Sequence, residues 1–255
     1  MIDQKMMDEA MAEVGQMLED TASLRFDLPE SVTAQEGWEE EVRFIGGWLR
    51  HIEHTLEAVA LLVNNEHPHA AAPLVRLALE DAVSAALVAR DPKAWEAVLA
   101  KAQDSEGRVL RDMYQAGLTP PDELKDLVDS LPPSAPDGYG PVKNMTARFK
   151  ALGDDGARLL ALWGLLTQQS HGNIHTASLF LDFDGGPGGI PSIRLDPQLP
   201  ADLLNLHFTS LDCMLLATES YSQVLVGDPL GSAVQAIHAR KAAVEEKLIK
   251  ASRAD

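Results

Sequence analysis

The chain has 255 residues, enough to bury a hydrophobic core, and 45% of them are hydrophobic, so a disordered chain is not expected. Asp and Glu outnumber Lys and Arg by 39 to 21, which gives a formal net charge of −18. This charge repels polyanions at long range and opposes the binding of RNA or a nucleotide, and no cationic stripe suited to nonspecific nucleic-acid binding is evident.

The first 35 residues are predicted to form an acidic helix followed by a loop. Methionine, valine and leucine side chains recur at helical spacing over residues 2–20. The loop that follows is charged and contains Pro29, and acidic residues remain frequent as far as Glu41. This composition is typical of a solvated surface.

The clearest periodic pattern predicts a long helix in the next segment. Its apolar residues recur every three or four positions and form one seam: Val42, Ile45, Trp48 or Leu49, Ile52, Leu56, Val59 and Val63. Such a seam packs against neighbouring helices in a bundle or across a dimer interface. His51, His54 and Glu57 lie beside it, as a polar flank or as a candidate metal-binding group.

An alanine-rich third helix is predicted from about residue 69 to Arg90. Because proline is tolerated only in the first turn of a helix, Pro73 places the expected start close to itself. Arg76 and Glu80 stand four positions apart on this helix, on one stripe of an otherwise apolar sequence. A fourth helix is predicted from 91 to about 116, with the glycine at 117 as its C-terminal stop.

The middle of the chain combines a proline-rich connection with two further helices. Six prolines fall within residues 118–141, where only one short helix, over about 122–130, fits between the breaks. Helices are predicted over about 142–152 and 154–170. Gly153 separates them, and an aspartate caps the second.

Alternating apolar residues over 178–183 and 190–195, on either side of the glycine-rich stretch 185–189, predict a β-hairpin. Helices over about 201–226 and 229–252 complete the chain. The sequence therefore predicts a mainly α fold, a bundle of about seven to nine helices with a small β-hairpin insertion. The expected division is into the N-terminal acidic helix and loop (1–35), a central helical domain (36–227) and a charged C-terminal helix (228–255).

The cysteine content and the hydropathy pattern favour a cytoplasmic protein. Cys213 is the single cysteine, so no intrachain disulfide can form, as is usual in a reducing compartment. No stretch approaches about 18 uninterrupted apolar residues, so no membrane span and no membrane partner are expected. The acidic N-terminal sequence also lacks the apolar run of a secretory signal.

Several common catalytic and cofactor signatures are missing from the sequence. The glycines at 185–189 are not followed by the Lys and Ser or Thr of a phosphate-binding loop, and no cysteine pairs suggest a zinc module. His-Glu-x-x-His does not occur, and Glu-x-x-His, which di-iron bundles use twice, occurs only once, at Glu66–His69 in a proline-containing turn. No cofactor is therefore predicted.

The stretch 159–175 is an apolar segment whose last turn becomes polar and carries His171 and His175. If one helix ran through both histidines, their imidazoles would share a face and could chelate a divalent metal, with Glu80 as a third ligand. The intervening Gly172-Asn173 favours a break, after which the two rings would diverge. No metal site is assigned on this basis.

Arg76 and Glu80 allow two interpretations. A charged pair on an apolar helix is costly to bury unless each charge is matched, so the two residues can form a structural ion pair. Alternatively they face a polar cavity together with Ser170, His171 and Asn173. Glu80 would then orient an imidazole, and Arg76 would hold a phosphate or a carboxylate.

These features together resemble an uncharacterised bacterial family of the HEPN superfamily. The resemblance rests on Arg-x-x-x-Glu at 76–80, Asp91-Pro92, Ser-His-Gly at 170–172 and the hairpin after it, and it covers about residues 40–226. It implies an all-helical and dimeric protein, and many members are ribonucleases of toxin, defence or stress systems. It also implies that the catalytic residues are His171, Arg76 and Glu80, and that the ligand-binding residues are Ser170, Asn173 and His175.

The sequence departs from the catalytic pattern of that superfamily, in which a histidine follows an arginine after four to six residues. None of the eight histidines has an arginine five to seven positions before it. Arg76, from another helix, would have to supply the cation. An RNA-binding or phosphate-binding protein with His171 as a general base is thus the first functional hypothesis.

Two alternatives belong to other functional classes. The apolar seam of the second helix suggests a noncatalytic, homodimeric interaction module. The histidine pair suggests a metal-dependent bundle enzyme that uses His171, His175 and one carboxylate.

Overall fold

The computed structural model is a bundle of α-helices with one short antiparallel pair of strands. It describes residues 4–28, 32–119, 122, 126, 140–170, 174–182, 192–194 and 203–253. The α-helices of this described part are α1 Gln4–Ser23, α2 Glu41–Asn64, α3 Pro68–Arg90, α4 Pro92–Gln115, α5 Met145–Ala151, α6 Asp154–Ser170, α7 Ile174–Ser178, α8 Leu203–Gln223 and α9 Gly231–Arg253. Short 3-10 helices span Leu24–Asp27 and Gly140–Val142, and the strands are β1 Leu181–Asp182 and β2 Ser192–Ile193. The predicted mainly α bundle with a small β-hairpin is confirmed.

Helix α3 occupies the centre of the bundle, packed against α2, α6 and α8. Its buried face is rich in alanine, which lets the neighbouring helices approach closely: Ala71, Ala72, Ala78, Ala82, Ala85 and Ala86. Larger side chains such as Leu79 and Val83 fill the remaining space and are fully buried. Burial of this face supplies most of the stability of α3, because alanine side chains make few contacts with one another along a helix.

The apolar seam of α2 is buried inside the chain. Its members pack against α3 and α8 in the main core or against α4 and the segment after α8: Ile45, Leu49, Ile52, Leu56 and Val59. Of the two arrangements that the periodicity left open, the seam adopts the intramolecular one. It is therefore not a surface on which a second copy could pack.

The N-terminal and C-terminal helices pack together on α8. Apolar residues of α1, α8 and α9 form a second hydrophobic cluster, and Arg240 on α9 lies 2.5 Å from Asp20 on α1. The loop before α2 also pairs with the end of α8, since the Val226 amide donates to the Thr33 carbonyl at 2.9 Å. Helices on both sides of the expected boundaries near residues 35 and 227 therefore share one packed unit.

A buried ion pair fastens α9 to α8. The ammonium of Lys241 lies 3.1 Å from Asp212, and both side chains are less than 10% exposed. Asp212 also accepts a hydrogen bond from Arg158 on α6 at 2.6 Å, and Lys241 reaches Glu245 at 2.7 Å. Each buried charge is thus matched by an opposite charge, as burial of ionised groups requires.

Two local predictions were wrong in position. Helix α3 begins at Pro68, whose missing N–H is not needed at the first helical position, so Pro73 lies inside the helix and removes one backbone hydrogen bond. The first strand was expected to include residues 178–180, but Ser178 ends α7 and Phe180 lies in a turn, where its carbonyl accepts from the Arg194 amide at 2.8 Å.

Two further predictions fall largely on residues that the structure does not describe. Of the helix expected over about 122–130, only residues 122 and 126 are described, and both are helical. The glycine-rich turn at 185–189 lies outside the described residues. None of the described helices combines the length and apolarity that a membrane crossing needs.

Candidate functional site

Glu80 accepts two hydrogen bonds on one carboxylate oxygen, one from within α3 and one that joins α3 to α6. Its Oε1 accepts from Arg76 Nε at 2.9 Å and from Trp163 Nε1 at 2.8 Å. The Arg76 and Glu80 side chains are 23% and 22% exposed, so most of the pair is shielded from solvent. Both partners donate to this oxygen, so the Glu80 side chain is held in one orientation.

The local sequence explains why these groups meet. Arg76 and Glu80 are one turn apart on the same flank of α3, the spacing at which side chains on a helix touch. Trp163 stands on α6 with its ring 5.9 Å from that of Phe149, which is fully buried. The indole therefore packs against the core, and its N–H is directed toward Glu80.

A second set of contacts extends the polar region along α3 to α5. Ser84 donates to the Glu80 backbone carbonyl at 2.7 Å and accepts from an Arg148 terminal nitrogen at 2.6 Å. Burial lowers the pKa of Arg148, while Glu80 and Asp81 oppose that effect. The Arg148 Nε is buried and has no hydrogen-bond partner among the described residues.

Asp81 is the second carboxylate of this region, and it faces α2. Its Oδ2 lies 2.6 Å from His51 Nδ1. Burial raises the pKa of Asp81 above its usual value, and the hydrogen bond from His51 partly offsets that rise. Burial therefore disfavours the ionised form of Asp81, and the hydrogen bond with the exposed His51 imidazole compensates for this only in part.

We call the set of Arg76, Glu80, Asp81, Arg148 and His51 the α3 polar cluster. Two carboxylates face two guanidiniums, so the cluster is close to neutral before His51 is counted. Because most of these groups are shielded from solvent, their interactions are stronger than they would be in water. The arrangement can hold a guanidinium in a fixed direction.

The remaining predicted site residues fall at or beyond the described end of α6. Ser170 is the last described residue of that helix, and its hydroxyl donates to the Leu166 carbonyl at 2.6 Å. His171 and Asn173 lie outside the described residues, as does the side chain of His175. The structure thus joins Arg76 and Glu80 to α6 at Trp163, and their relation to the histidines stays a prediction.

The direction of α6 relative to α3 follows from two contacts. Trp163 is opposite Glu80, and Arg90 donates to the carbonyl of Leu152 at 3.3 Å. The two helices are therefore antiparallel. In an antiparallel pair, the residues before Glu80 on α3 and the residues after Trp163 on α6 approach the same end of the two helices. Arg76 and Ser170 therefore both lie toward that end.

The sequence alone did not reveal Trp163, Arg148 or the partner of His51. His51 was grouped with His54 and Glu57 on its own helix, but its contact is with Asp81 on α3, while His54 lies 3.2 Å from Glu57. The only sequence feature that pointed to the His51 contact was a second acidic residue, Asp81, next to Glu80 on the otherwise apolar α3. In the described part of the chain, no three His, Cys, Asp or Glu side chains converge as metal ligands would.

Comparison with known proteins gives no relative for this chain. No model of a known protein family matches the sequence. No curated protein and no solved structure resembles it significantly either. The function is therefore argued from the residues themselves.

Proposed function

We propose that this chain is a HEPN-like helical protein whose α3 polar cluster, with the residues after α6, binds the phosphate of an RNA end or of a small phosphorylated ligand. The observation that supports this most is the double hydrogen bond to Glu80. By accepting from both Arg76 and Trp163, Glu80 fixes a guanidinium beside the helix that leads to His171.

A fixed guanidinium is suited to phosphate. Its planar array of N–H donors matches two phosphate oxygens at once, and it stays protonated at any physiological pH. Because Glu80 already orients Arg76 through Nε, less side-chain entropy is lost when an anion arrives. Partial burial of Arg76 strengthens the attraction further.

The catalytic form of this proposal assigns RNA cleavage to His171 as general base, with Asn173, Ser170 and His175 holding the ligand. Arg76 would provide the positive charge that the usual HEPN pattern takes from an arginine shortly before the histidine. Without that role for His171, the same cluster would act as a noncatalytic binding site.

The net charge limits the size of the ligand. With 39 acidic and 21 basic residues, the chain repels a long polyanion, whereas a single phosphate responds mainly to nearby charges. A short RNA end or a small phosphorylated compound fits this balance better than a long RNA. The proposal includes a cytoplasmic location and the dimerisation that the superfamily implies, with an interface other than the buried seam of α2.

Phosphate binding can be tested with a short oligoribonucleotide ending in a phosphate, titrated by calorimetry at low salt. Arg76→Gln should weaken binding about tenfold, the effect of losing one charge-assisted contact. Arg108→Gln is the matched control, because Arg108 is also paired with an acid four positions away, Asp104, but on the exposed surface of α4. Equal binding by the two variants would contradict the proposal.

Catalysis is tested separately with His171→Ala. Loss of oligoribonucleotide cleavage with unchanged circular dichroism and unchanged phosphate binding would assign the general base. If the wild-type protein binds the oligoribonucleotide and does not cleave it, the noncatalytic form of the proposal stands. If it does not bind, both forms fail.

A further inference from the structure

A cavity of about 380 Å³ lies between α1, α2 and α8, on the opposite flank of α2 from the α3 polar cluster. Its walls are mostly apolar side chains from all three helices: Leu18, Ala22, Leu56, Val59, Val63, Leu206 and Met214. This volume falls within the range of small-molecule sites in proteins, about 300–1,000 Å³. Exposed residues such as Ala60 and Asn64 form its rim, so the cavity is reached from solvent.

Ser210 lines this cavity and has a buried hydroxyl without a partner in the part of the chain that the structure describes. The residue is 3% exposed, and its Oγ has no hydrogen-bond partner among the described residues. On the same helix Thr209 and Ser220 donate to the backbone carbonyls four positions earlier, at 2.7 and 2.6 Å, whereas the Thr218 hydroxyl, like that of Ser210, has no partner among the described residues. Burying a hydroxyl without a partner is unfavourable, and a bound molecule with an acceptor would remove that cost.

A group of two guanidiniums and one carboxylate adjoins one end of the cavity, although only Arg25 and Glu53 of this group line it. Glu53, a buried residue, binds both Arg25 and Arg50, so one carboxylate is shared by two guanidiniums. Arg25 and Glu53 both line the cavity. A single negative charge brought to this end would balance the group.

Two carboxylates at the rim disfavour a multiply charged anion. Glu19 and Glu57 both line the mouth and are exposed. They would repel a phosphate or another multiply charged anion more than a monoanion. The lining residues of α2 extend from Glu53 to Asn64, about 16 Å at the helical rise, which accommodates an extended acyl chain.

We propose that the cavity between α1, α2 and α8 binds a monocarboxylate with an apolar chain, its carboxylate received by Arg25 and the Ser210 hydroxyl and its chain lying along the walls formed by α2 and α8. The site is separate from the α3 polar cluster and does not depend on the phosphate proposal. Apolar contact supplies the affinity, and the two polar groups fix the orientation.

The test titrates dodecanoate, below its micelle concentration, into the full-length protein and follows binding by calorimetry and by the midpoint of thermal unfolding. Wild-type protein should bind and gain stability, because a ligand that binds only the folded state stabilises it. 1-Dodecanol, which has the same chain without the charge, should bind about tenfold more weakly.

Two variants locate the site. Ser210→Ala should weaken dodecanoate binding about fivefold while leaving the unliganded protein at least as stable, since it removes an unpartnered buried hydroxyl. Ala60→Trp, a change at the exposed rim, should block entry and abolish binding. Ser220→Ala is the matched control, because Ser220 is buried on the same helix but does not line the cavity.

Three results would overturn the proposal. Absence of dodecanoate binding by the wild-type protein would leave the cavity as a water-filled space. Unchanged binding in folded Ser210→Ala and Ala60→Trp would place the ligand elsewhere. Equal affinity for dodecanoate and 1-dodecanol would remove the assigned role of Arg25.

Discussion

The indole of Trp163 and the carboxylate of Glu80 are joined by a 2.8 Å hydrogen bond across 83 positions of sequence. This contact sets the alignment of α6 against α3, because neither side chain is free to turn. Phe149 packs against the Trp163 ring, and Arg76 donates a hydrogen bond to Glu80. The alignment in turn determines which residues share the end of the bundle where Arg76 lies. The proposed phosphate site depends on it.

Trp163→Phe should therefore destabilise the protein by about 1.5–3 kcal/mol, the range for a hydrogen bond to a charged group. The substitution keeps an aromatic ring against Phe149 and removes the N–H that Glu80 accepts. Urea denaturation followed by circular dichroism measures the difference. In Glu80→Gln, which retains an acceptor, the further loss from Trp163→Phe should be smaller. An unchanged unfolding midpoint in Trp163→Phe would show that the bond adds nothing.

Gly156 is required for the close approach of α6 to α5. A Cβ at this position would lie 1.7 Å from the Phe149 carbonyl oxygen, so the backbone would have to move. Gly156→Ala should cost about 3 kcal/mol, although alanine is the better helix former. Gly164→Ala on the same helix meets no atom within 4 Å and should stabilise by about 0.5–1 kcal/mol. Thermal unfolding compares the two, and effects of the same sign would contradict the packing argument.

The buried pair of Lys241 and Asp212 should be costly to break from one side only. Asp212→Leu leaves the Lys241 ammonium buried with Glu245 as its remaining acidic partner, and a loss of about 3 kcal/mol is expected. The double variant Asp212→Leu with Lys241→Met should recover most of that loss, because two apolar side chains then fill the space. A double-mutant cycle from urea denaturation gives the coupling, and additive losses would argue against it.

The raised pKa of Asp81 should make the free energy of unfolding decrease as the pH rises through the acid range. Burial raises the pKa of Asp81 above its ordinary value of 3.8, so the folded protein holds this proton more tightly than the unfolded chain does. The folded state then loses relative stability as the pH rises from about 3.8 through the folded pKa, and the loss is constant above it. The stability of Asp81→Asn should therefore match that of wild type below this window, exceed it increasingly across the window and remain higher above it.

The role of His51 gives a second readout for the same prediction. Its hydrogen bond lowers the pKa of Asp81, so His51→Ala should raise that pKa further and steepen the pH dependence. Urea midpoints measured from pH 3 to pH 7, on wild type and both variants, supply the comparison. Parallel profiles in all three proteins would mean that Asp81 titrates as an ordinary surface carboxylate.

Features that depend on neighbours in sequence were predicted well. The apolar seam of α2 correctly predicted both the helix and the face that it buries. Gly153 was expected to separate two helices. The structure has a positive φ of 73° at Gly153, and the predicted stop at Gly117 has a positive φ of 75°. Both conformations are left-handed, where glycine carries no penalty from a Cβ.

Features that depend on contact between distant segments could not be predicted. The choice between an internal and an intermolecular seam for α2 needed the positions of α3 and α8, which periodicity does not encode. His51 and Asp81 are 30 positions apart, and Arg148 reaches Ser84 across 64. The expectation that α3 would start close to Pro73 was wrong because packing of the alanine face outweighs the single hydrogen bond lost at that proline.

Cys213 sits fully buried at the middle of α8, and its surroundings raise the pKa of the thiol well above the usual value. A thiol reagent in solution therefore meets neither an accessible sulfur nor a thiolate while the bundle stays closed. As the single sulfhydryl of the chain, it can report the opening of α8 without any engineered label. The rate at which a thiol reagent labels Cys213 would therefore measure how often the centre of the bundle opens.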